Sequence, residues 1–127
     1  MSKVVLDASA VMSVMGREKG WQKVLAMLPQ SCISTVNISE IAAKIAERGG
    51  PVEATRLELD CYQMLVIPFD QDRAYRAASL RPLTRSVGLS FGDRACLALG
   101  LEMNLPVVTA ERAWAKLDLG IAIEVIR

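Results

Sequence analysis

Four acidic residues of this 127-residue chain each lie close to the end of a predicted strand or the start of a predicted helix. They are Asp7, Glu40, Asp93 and Glu111. Carboxylate oxygens are the ligands that Mg²⁺ and Mn²⁺ prefer in proteins. Such an ion lowers the pKa of a bound water and stabilises charge on a phosphoryl group. These acids are therefore the candidates for a metal site that hydrolyses phosphodiester bonds.

The order of predicted elements places these acids at one edge of a sheet. Asp7, Glu40 and Glu111 each follow a predicted strand directly or within a few residues. Ligands of open parallel sheets bind beyond the carboxyl ends of the strands, which meet at one edge. Asp93 lies in the first turn of the helix that leads into the fourth strand, and that helix must begin at the same edge. Four like charges there repel one another unless a cation lies among them.

Local explanations exist for three of these acids. Asp7 is also suited to a turn. Asn37 precedes Glu40 by three residues and Ser90 precedes Asp93 by three, and both spacings are typical of a capped helix start. The capping and metal-binding interpretations both stay open at this point.

The composition excludes several kinds of catalysis. The chain has no histidine, which excludes a Ser-His-Asp triad, a Cys-His pair and histidine-ligated zinc. The three cysteines, Cys32, Cys61 and Cys96, form no CxxC pair and are predicted to be buried thiols in a reducing compartment. The net charge of +1 is not that of a protein held on nucleic acid by charge alone.

The hydropathy of the chain indicates neither a membrane span nor a signal peptide. Hydrophobic residues make up 52% of the chain, yet no run approaches the ~18 apolar residues that a membrane span requires. The apolar stretch before Asp7 is too short for the core of a signal peptide. We therefore expect a cytoplasmic protein. Its excess of apolar residues indicates a surface that is buried by a partner.

Short apolar strands alternate with helical patterns along the chain. One pattern places Ile38, Ile41 and Ile45 on one helical face. Another predicts a helix over 52–65, with an apolar face formed by Leu57, Cys61 and Leu65 at a spacing of four. The strands are predicted at 3–6, 32–34, 66–68, 106–109 and 121–126. This alternation predicts an α/β fold, with a central parallel sheet of about five short strands flanked by helices, as a single domain over 1–127.

Four segments together resemble the PIN domain, and more narrowly the VapC-type ribonuclease toxins of type II toxin–antitoxin systems. They are 4–10 (VVLDASA), 34–40 (STVNISE), 88–98 (GLSFGDRACLA) and 105–114 (LPVVTAERAW). The resemblance implies a Rossmann-like fold and a Mg²⁺- or Mn²⁺-dependent endoribonuclease that cleaves RNA. It also implies a homodimer and a cognate antitoxin protein as partner. We expect the antitoxin to cover a hydrophobic groove between the early helices, near Met12, Met15 and Trp21.

The resemblance assigns roles to individual residues. It implies that Asp7, Glu40 and Asp93 bind the metal ion and that Ser9 lies beside it. The family often has Asp where this chain has Glu111, so the identity of the fourth acid stays open between Glu111 and Asp118. A first-turn helix acid is the alternative interpretation of Glu111.

Arginines flank the acidic segments and are candidates for binding substrate phosphates. Arg94 follows Asp93, Arg112 follows Glu111, and Arg85 lies in the preceding segment. The alternative is that these arginines are solvated or pair with the neighbouring acids.

Two other functions compete with a nuclease. The first is a non-catalytic PIN-like module that binds RNA or protein, which gives no reason to keep repelling acids together. The second is a phosphoacceptor receiver domain, which requires an adjacent acidic pair near the first strand, where this chain offers only Asp7.

Overall fold

The computed structural model describes residues 1–127 and is built around one sheet of five short strands. The strands are β1 (Val4–Leu6), β2 (Ser31–Ser34), β3 (Leu65–Ile67), β4 (Val107–Thr109) and β5 (Ile123–Val125). They lie in the order β3-β2-β1-β4-β5, and every neighbouring pair is parallel. The predicted α/β fold with a central parallel sheet is confirmed.

Seven α-helices connect and cover these strands. They are α1 (Ala8–Gly16), α2 (Trp21–Met27), α3 (Thr35–Glu47), α4 (Val52–Cys61), α5 (Gln71–Ser79), α6 (Arg81–Thr84) and α7 (Phe91–Met103). Short 3₁₀ turns follow α2, α6 and β4. None of these helices combines the length and the apolar character that a membrane span requires.

The central strands of the sheet are buried on both faces, because their successive residues enter different hydrophobic cores. In β1, Leu6 packs with Val11, Val24 and Ile41 from α1, α2 and α3. Its neighbour Val5 points the other way, into the core that α5 and α7 cover. This alternation is the reason that the strands are apolar at nearly every position. Trp114 is fully buried in the second core, as a packing residue.

The prediction for residues 52–65 is wrong in two respects. The helix ends at Cys61, and Leu65 begins β3 instead of continuing the helix. Leu57 is 67% exposed, whereas Leu59 is buried against the sheet, so the predicted apolar face is not the buried one. Cys61 is also exposed, in contrast to Cys32 and Cys96, which are buried as predicted.

Candidate metal centre

Asp7 lies at the point where the strand order reverses. From β1 the chain runs outward through β2 to β3, and it later returns on the other side of β1 to form β4 and β5. Crevices form at such switch points, at the carboxyl ends of the strands. Asp7 is the first residue after β1 and the N-cap of α1, and its side chain is buried.

Two hydroxyl groups hold the carboxylate of Asp7. The Oγ of Ser9 donates to Asp7 Oδ2 at 2.6 Å, and the Oγ1 of Thr109 donates to the same oxygen at 3.0 Å. The backbone N–H of Ala110 donates to Ser9 Oγ at 2.9 Å, which ties the end of β4 to the start of α1. Asp7 Oδ1 accepts no hydrogen bond from the protein.

Burial raises the pKa of Asp7 to about 6, and the charges of Asp93 and Glu40 add to this effect. The hydrogen bonds from Ser9 and Thr109 oppose it, because they favour the ionised form. None of the ion pairs in the structure involves Asp7, Glu40 or Asp93. Three carboxylates therefore act on one another at this edge without a cationic side chain to balance them.

Glu40 lies on α3, and its position depends on Asn37. The N-cap of α3 is Ser34, whose Oγ accepts from the N–H of Val36 at 3.1 Å, so the predicted capping role of Asn37 is wrong. Asn37 is instead fully buried inside the helix. Its Nδ2 donates to Glu40 Oε1 at 2.7 Å and to the carbonyl oxygen of Gly92 at 3.1 Å.

The Oδ1 atom of Asn37 is buried and has no hydrogen-bond partner. Leaving such a group unpaired costs about 1–3 kcal/mol. Rotating the amide by half a turn would bring Oδ1 against two other oxygens, so the acceptors on Glu40 and Gly92 fix its orientation. The orientation that lets Asn37 donate to Glu40 therefore lowers the stability of the fold, because it leaves Oδ1 unpaired.

Asp93 closes the predicted capping box of α7. The Ser90 Oγ accepts from the N–H of Asp93 at 3.2 Å, and Asp93 Oδ2 accepts from the N–H of Ser90 at 2.9 Å. The capping interpretation is confirmed, and it does not exclude a metal ligand, because Asp93 Oδ1 is left without a protein donor. The same division holds for Glu40, where Asn37 engages only Oε1.

The donor set fits a hard divalent cation. Each of Asp7, Glu40 and Asp93 has one oxygen held by the protein and one that accepts no protein hydrogen bond. As the side chains stand, no three acids are close enough to enclose an ion by themselves. Mg²⁺ usually keeps several waters and takes only one or two carboxylates directly, so a closed cage is not required.

Glu111 and Asp118 lie outside this group of acids. Glu111 is exposed, and its side chain makes no capping bond to the 3₁₀ turn that follows. Its backbone N–H donates to Thr109 Oγ1 at 3.0 Å, so it begins close to Asp7, but its charge is not among those that raise the pKa of Asp7. Asp118 is exposed beyond that turn.

The predicted arginines do not pair with the acids next to them. Arg94 Nη1 donates to the carbonyl oxygen of Leu89 at 2.9 Å, and Arg85 and Arg112 are exposed. Arg81 and Arg85 line a pocket of about 200 Å³ that is also lined by Leu89, whose carbonyl oxygen accepts from the guanidinium of Arg94. None of these arginines forms an ion pair.

A larger groove opens beside the acids. It has a volume of about 520 Å³ and runs from Ser9 over Met12 and Met15 to Lys44 and Arg48. Trp21 does not line it, and instead packs under the guanidinium of Arg17, 5.6 Å from the ring centroid. Charged residues, among them Glu18, Glu58 and Arg127, line the groove together with the methionines, so it is less apolar than expected.

Three residues at this edge were not predicted to hold the acids. Thr109 holds Asp7, Asn37 holds Glu40, and Gly92 lies under the Glu40 carboxylate. The hydroxyl two residues before Glu111 was a usable signal for Thr109, because it ends a strand at the same edge. The contact between Asn37 and Gly92 spans 55 positions and has no local signal.

Similar folds occur in complexes of toxins with antitoxins. A toxin–antitoxin complex from Klebsiella pneumoniae has a chain with a TM-score of 0.76 and 20% identity, covering 98% of both chains. DNA-bound VapBC from Salmonella typhimurium gives 0.75 and 19%, covering 100% of both. VapBC-5 from Mycobacterium tuberculosis gives 0.61 and 22%, covering 100% of this chain and 99% of that one.

No curated protein sequence matches the chain significantly. The sequence profile of the PIN domain, in contrast, matches residues 4–119, which include all five acids considered above. Nearly the whole chain is covered by this match, and the parallel sheet carries its acids where the strand order reverses. The chain belongs to the PIN domain family.

Proposed function

We propose that this protein is a metal-dependent endoribonuclease and the toxin of a toxin–antitoxin pair. The observation that carries the proposal is the buried carboxylate of Asp7, which lies within range of the charges of Glu40 and Asp93 and has no cationic side chain beside it. An arrangement of this kind is costly for an apoprotein and is suited to a divalent cation.

Different residues of the chain would bind the ion and orient its ligands during hydrolysis. Asp7, Glu40 and Asp93 would hold the ion through their free oxygens, while Ser9 and Thr109 orient Asp7. When bound, the ion supplies an activated water and stabilises charge on the phosphoryl oxygens.

Arg85, Arg94 and Arg112 are available to hold substrate phosphates, because none is paired with an acid. Their guanidinium groups match the geometry of phosphate oxygens. Attack by water is expected to leave a 5′-phosphate and a 3′-hydroxyl.

The test is cleavage of single-stranded RNA with Mn²⁺ or Mg²⁺, followed by addition of EDTA. Asp7→Asn, Glu40→Gln and Asp93→Asn should each abolish cleavage. Asp60→Asn is the matched control, since Asp60 is exposed near the end of α4. This helix leads into the N-terminal end of a strand, whereas the acids lie at the carboxyl ends of the strands. Cleavage that continues in EDTA, or a 2′,3′-cyclic phosphate product, would contradict the metal mechanism. Binding of RNA without cleavage would favour the non-catalytic module.

We also propose that an antitoxin protein occupies the groove from Ser9 to Arg48. The groove opens at Ser9, which contacts Asp7, so a segment bound there would reach the acids. An arginine of the partner is the natural group to approach three uncompensated carboxylates. The solved relatives support this proposal, because several are toxin–antitoxin complexes with similar folds.

Met12→Asp tests this arrangement, because it places a charge on the apolar wall of the groove. It should abolish inhibition by the proposed antitoxin while leaving cleavage intact. Full inhibition of the variant would place the antitoxin elsewhere.

A further inference from the structure

Two residues from different parts of the chain, Asn37 and Gly92, hold the Glu40 carboxylate in place, and we call this pair the Glu40 seat. Asn37, one helical turn before Glu40, donates to its Oε1 at 2.7 Å. Gly92, in the first turn of α7, lies directly under the carboxylate, and a Cβ atom at position 92 would occupy the space of the Glu40 carboxyl group. The amide of Asn37 also donates to the Gly92 carbonyl oxygen at 3.1 Å, so the two parts of the seat are joined.

We propose that Asn37 and Gly92 are positioning residues that set Glu40 for a divalent cation; this inference rests on the proposed metal-dependent function. The donor to Glu40 is a neutral amide, whereas an arginine or lysine in its place would neutralise the carboxylate and compete with the ion. Asn37 therefore fixes the direction of Glu40 without reducing its charge.

The unpaired Oδ1 of Asn37 separates this role from a purely structural one. The Oδ1 of Asn37 has no partner, whereas a buried amide that only stabilises a fold is usually hydrogen-bonded through its oxygen as well. Leucine has nearly the shape of asparagine, and it would remove both the donor and the unpaired oxygen. We therefore expect Asn37→Leu to leave the melting temperature of the metal-free protein unchanged or higher, while the affinity for Mn²⁺ falls.

Gly92→Ala tests the seat from the other side. The three atoms nearest to the added methyl group all belong to the end of the flexible Glu40 side chain, which is partly exposed and can swing outward. Alanine is also the better helix former, so the melting temperature should not fall. The affinity for Mn²⁺ should fall as it does in Asn37→Leu, although no hydrogen-bond donor has been removed.

Gly100→Ala is the matched control on the same helix. A Cβ atom there would also be too close to its neighbours, but these are the buried side chain of Val107 and the half-buried side chain of Ile121, and not an acid. This variant should lower the melting temperature and leave the affinity for Mn²⁺ unchanged, which is the opposite of the result expected for Gly92→Ala.

The experiment measures Mn²⁺ binding by isothermal titration calorimetry and melting of the metal-free protein by scanning calorimetry. We expect Asn37→Leu and Gly92→Ala to weaken Mn²⁺ binding by about 10- to 100-fold, as losses behind a metal ligand typically do. Glu40→Gln serves as the reference for loss of the ligand itself. Wild-type affinity in both Asn37→Leu and Gly92→Ala, with weak binding in Glu40→Gln, would overturn the inference alone. A wild-type protein that binds no Mn²⁺ would overturn the proposed function, and the inference with it.

Discussion

The carboxyl group of Asp7 gains a proton more easily in the folded chain than in the unfolded one. Burial raises its pKa from 3.8 to about 6, with the charges of Asp93 and Glu40 adding to the shift. Below about pH 4 the group is protonated in both states, and above about pH 6 it is ionised in both. Between these limits the folded state holds the extra proton, so the contribution of Asp7 to stability decreases as the pH rises and is least favourable above pH 6.

Asp7→Asn should therefore stabilise the metal-free protein at neutral pH. Asparagine keeps an oxygen for Ser9 and Thr109 but carries no charge. A shift of roughly two pKa units corresponds to about 3 kcal/mol, so the variant should exceed the wild type by up to that amount at pH 7. The difference should nearly vanish at pH 4. Urea denaturation in EDTA at both pH values measures it, and an equal difference at both would show that charge is not the cause.

Glu111 stands where the family often has Asp, and its exposed position suits an indirect role. We predict that it acts through a metal-bound water, since its charge does not reach Asp7 as those of Glu40 and Asp93 do. Glu111→Gln should weaken Mn²⁺ binding by about 10- to 100-fold, and Asp118→Asn should change it little. Calorimetric titration of both variants checks this. Unchanged binding and cleavage in Glu111→Gln would mean that the other three acids suffice.

At the scale of elements, the start of α7 serves two purposes at once. Ser90 and Asp93 satisfy each other's backbone N–H groups, and this box also sets the direction of the Asp93 carboxylate. Ser90→Ala should cost about 1 kcal/mol, as lost N-caps typically do. Ser79→Ala is the control, because Ser79 is exposed at the end of α5 and bonds only the carbonyl oxygen of Arg76. Equal losses in both variants, measured by urea denaturation, would exclude a specific cap.

Elements with local signals were predictable from the sequence, and contacts between distant elements were not. The Ser90–Asp93 box is a four-residue pattern, and it was predicted correctly. Asn37 showed the same spacing, yet Ser34 caps α3, because the chain turns into the helix directly after β2. The buried face of α4 was predicted wrongly at Leu57, since only the position of the sheet decides which side is covered.

The acids that we propose as metal ligands could be selected because chain direction alone places strand ends together. That argument needs the order of strands and helices but no side-chain contacts, so it makes Asp7, Glu40 and Asp93 candidates. It does not predict which residues hydrogen-bond to each carboxylate or pack against it. Thr109 and Gly92 act on Asp7 and Glu40 across 102 and 52 positions, a separation at which sequence patterns carry no signal.

At the scale of the whole molecule, β3, the outermost strand on one side of the sheet, is apolar and uncovered. Leu65 and Val66 on β3 are 56% and 44% exposed. An adjoining groove of about 310 Å³, between α3 and α4, is lined by Ile38, Leu59 and Met64 among others. Natural proteins rarely leave such an edge strand free. We propose that a second copy of the chain covers it, which agrees with the expected homodimer.

Val66→Lys should convert the proposed dimer into a monomer, because it places a charge on the edge strand. Leu83→Lys is the control, since Leu83 is equally apolar and 66% exposed but lies on α6. Size-exclusion chromatography with light scattering at micromolar concentration measures the mass of each variant. A wild-type protein that is monomeric, or a Val66→Lys variant that remains dimeric, would remove this interface.

The central position of β1 has a consequence for the synthesis of the protein. β1 and Asp7 are synthesised well before β4, which pairs with β1 and supplies Thr109 to Asp7. Asp93, another of the three acids, is also made long after Asp7. We therefore expect a nascent chain to leave the messenger from which it is being translated intact, because the proposed metal centre cannot assemble until α7 and β4 have left the ribosome.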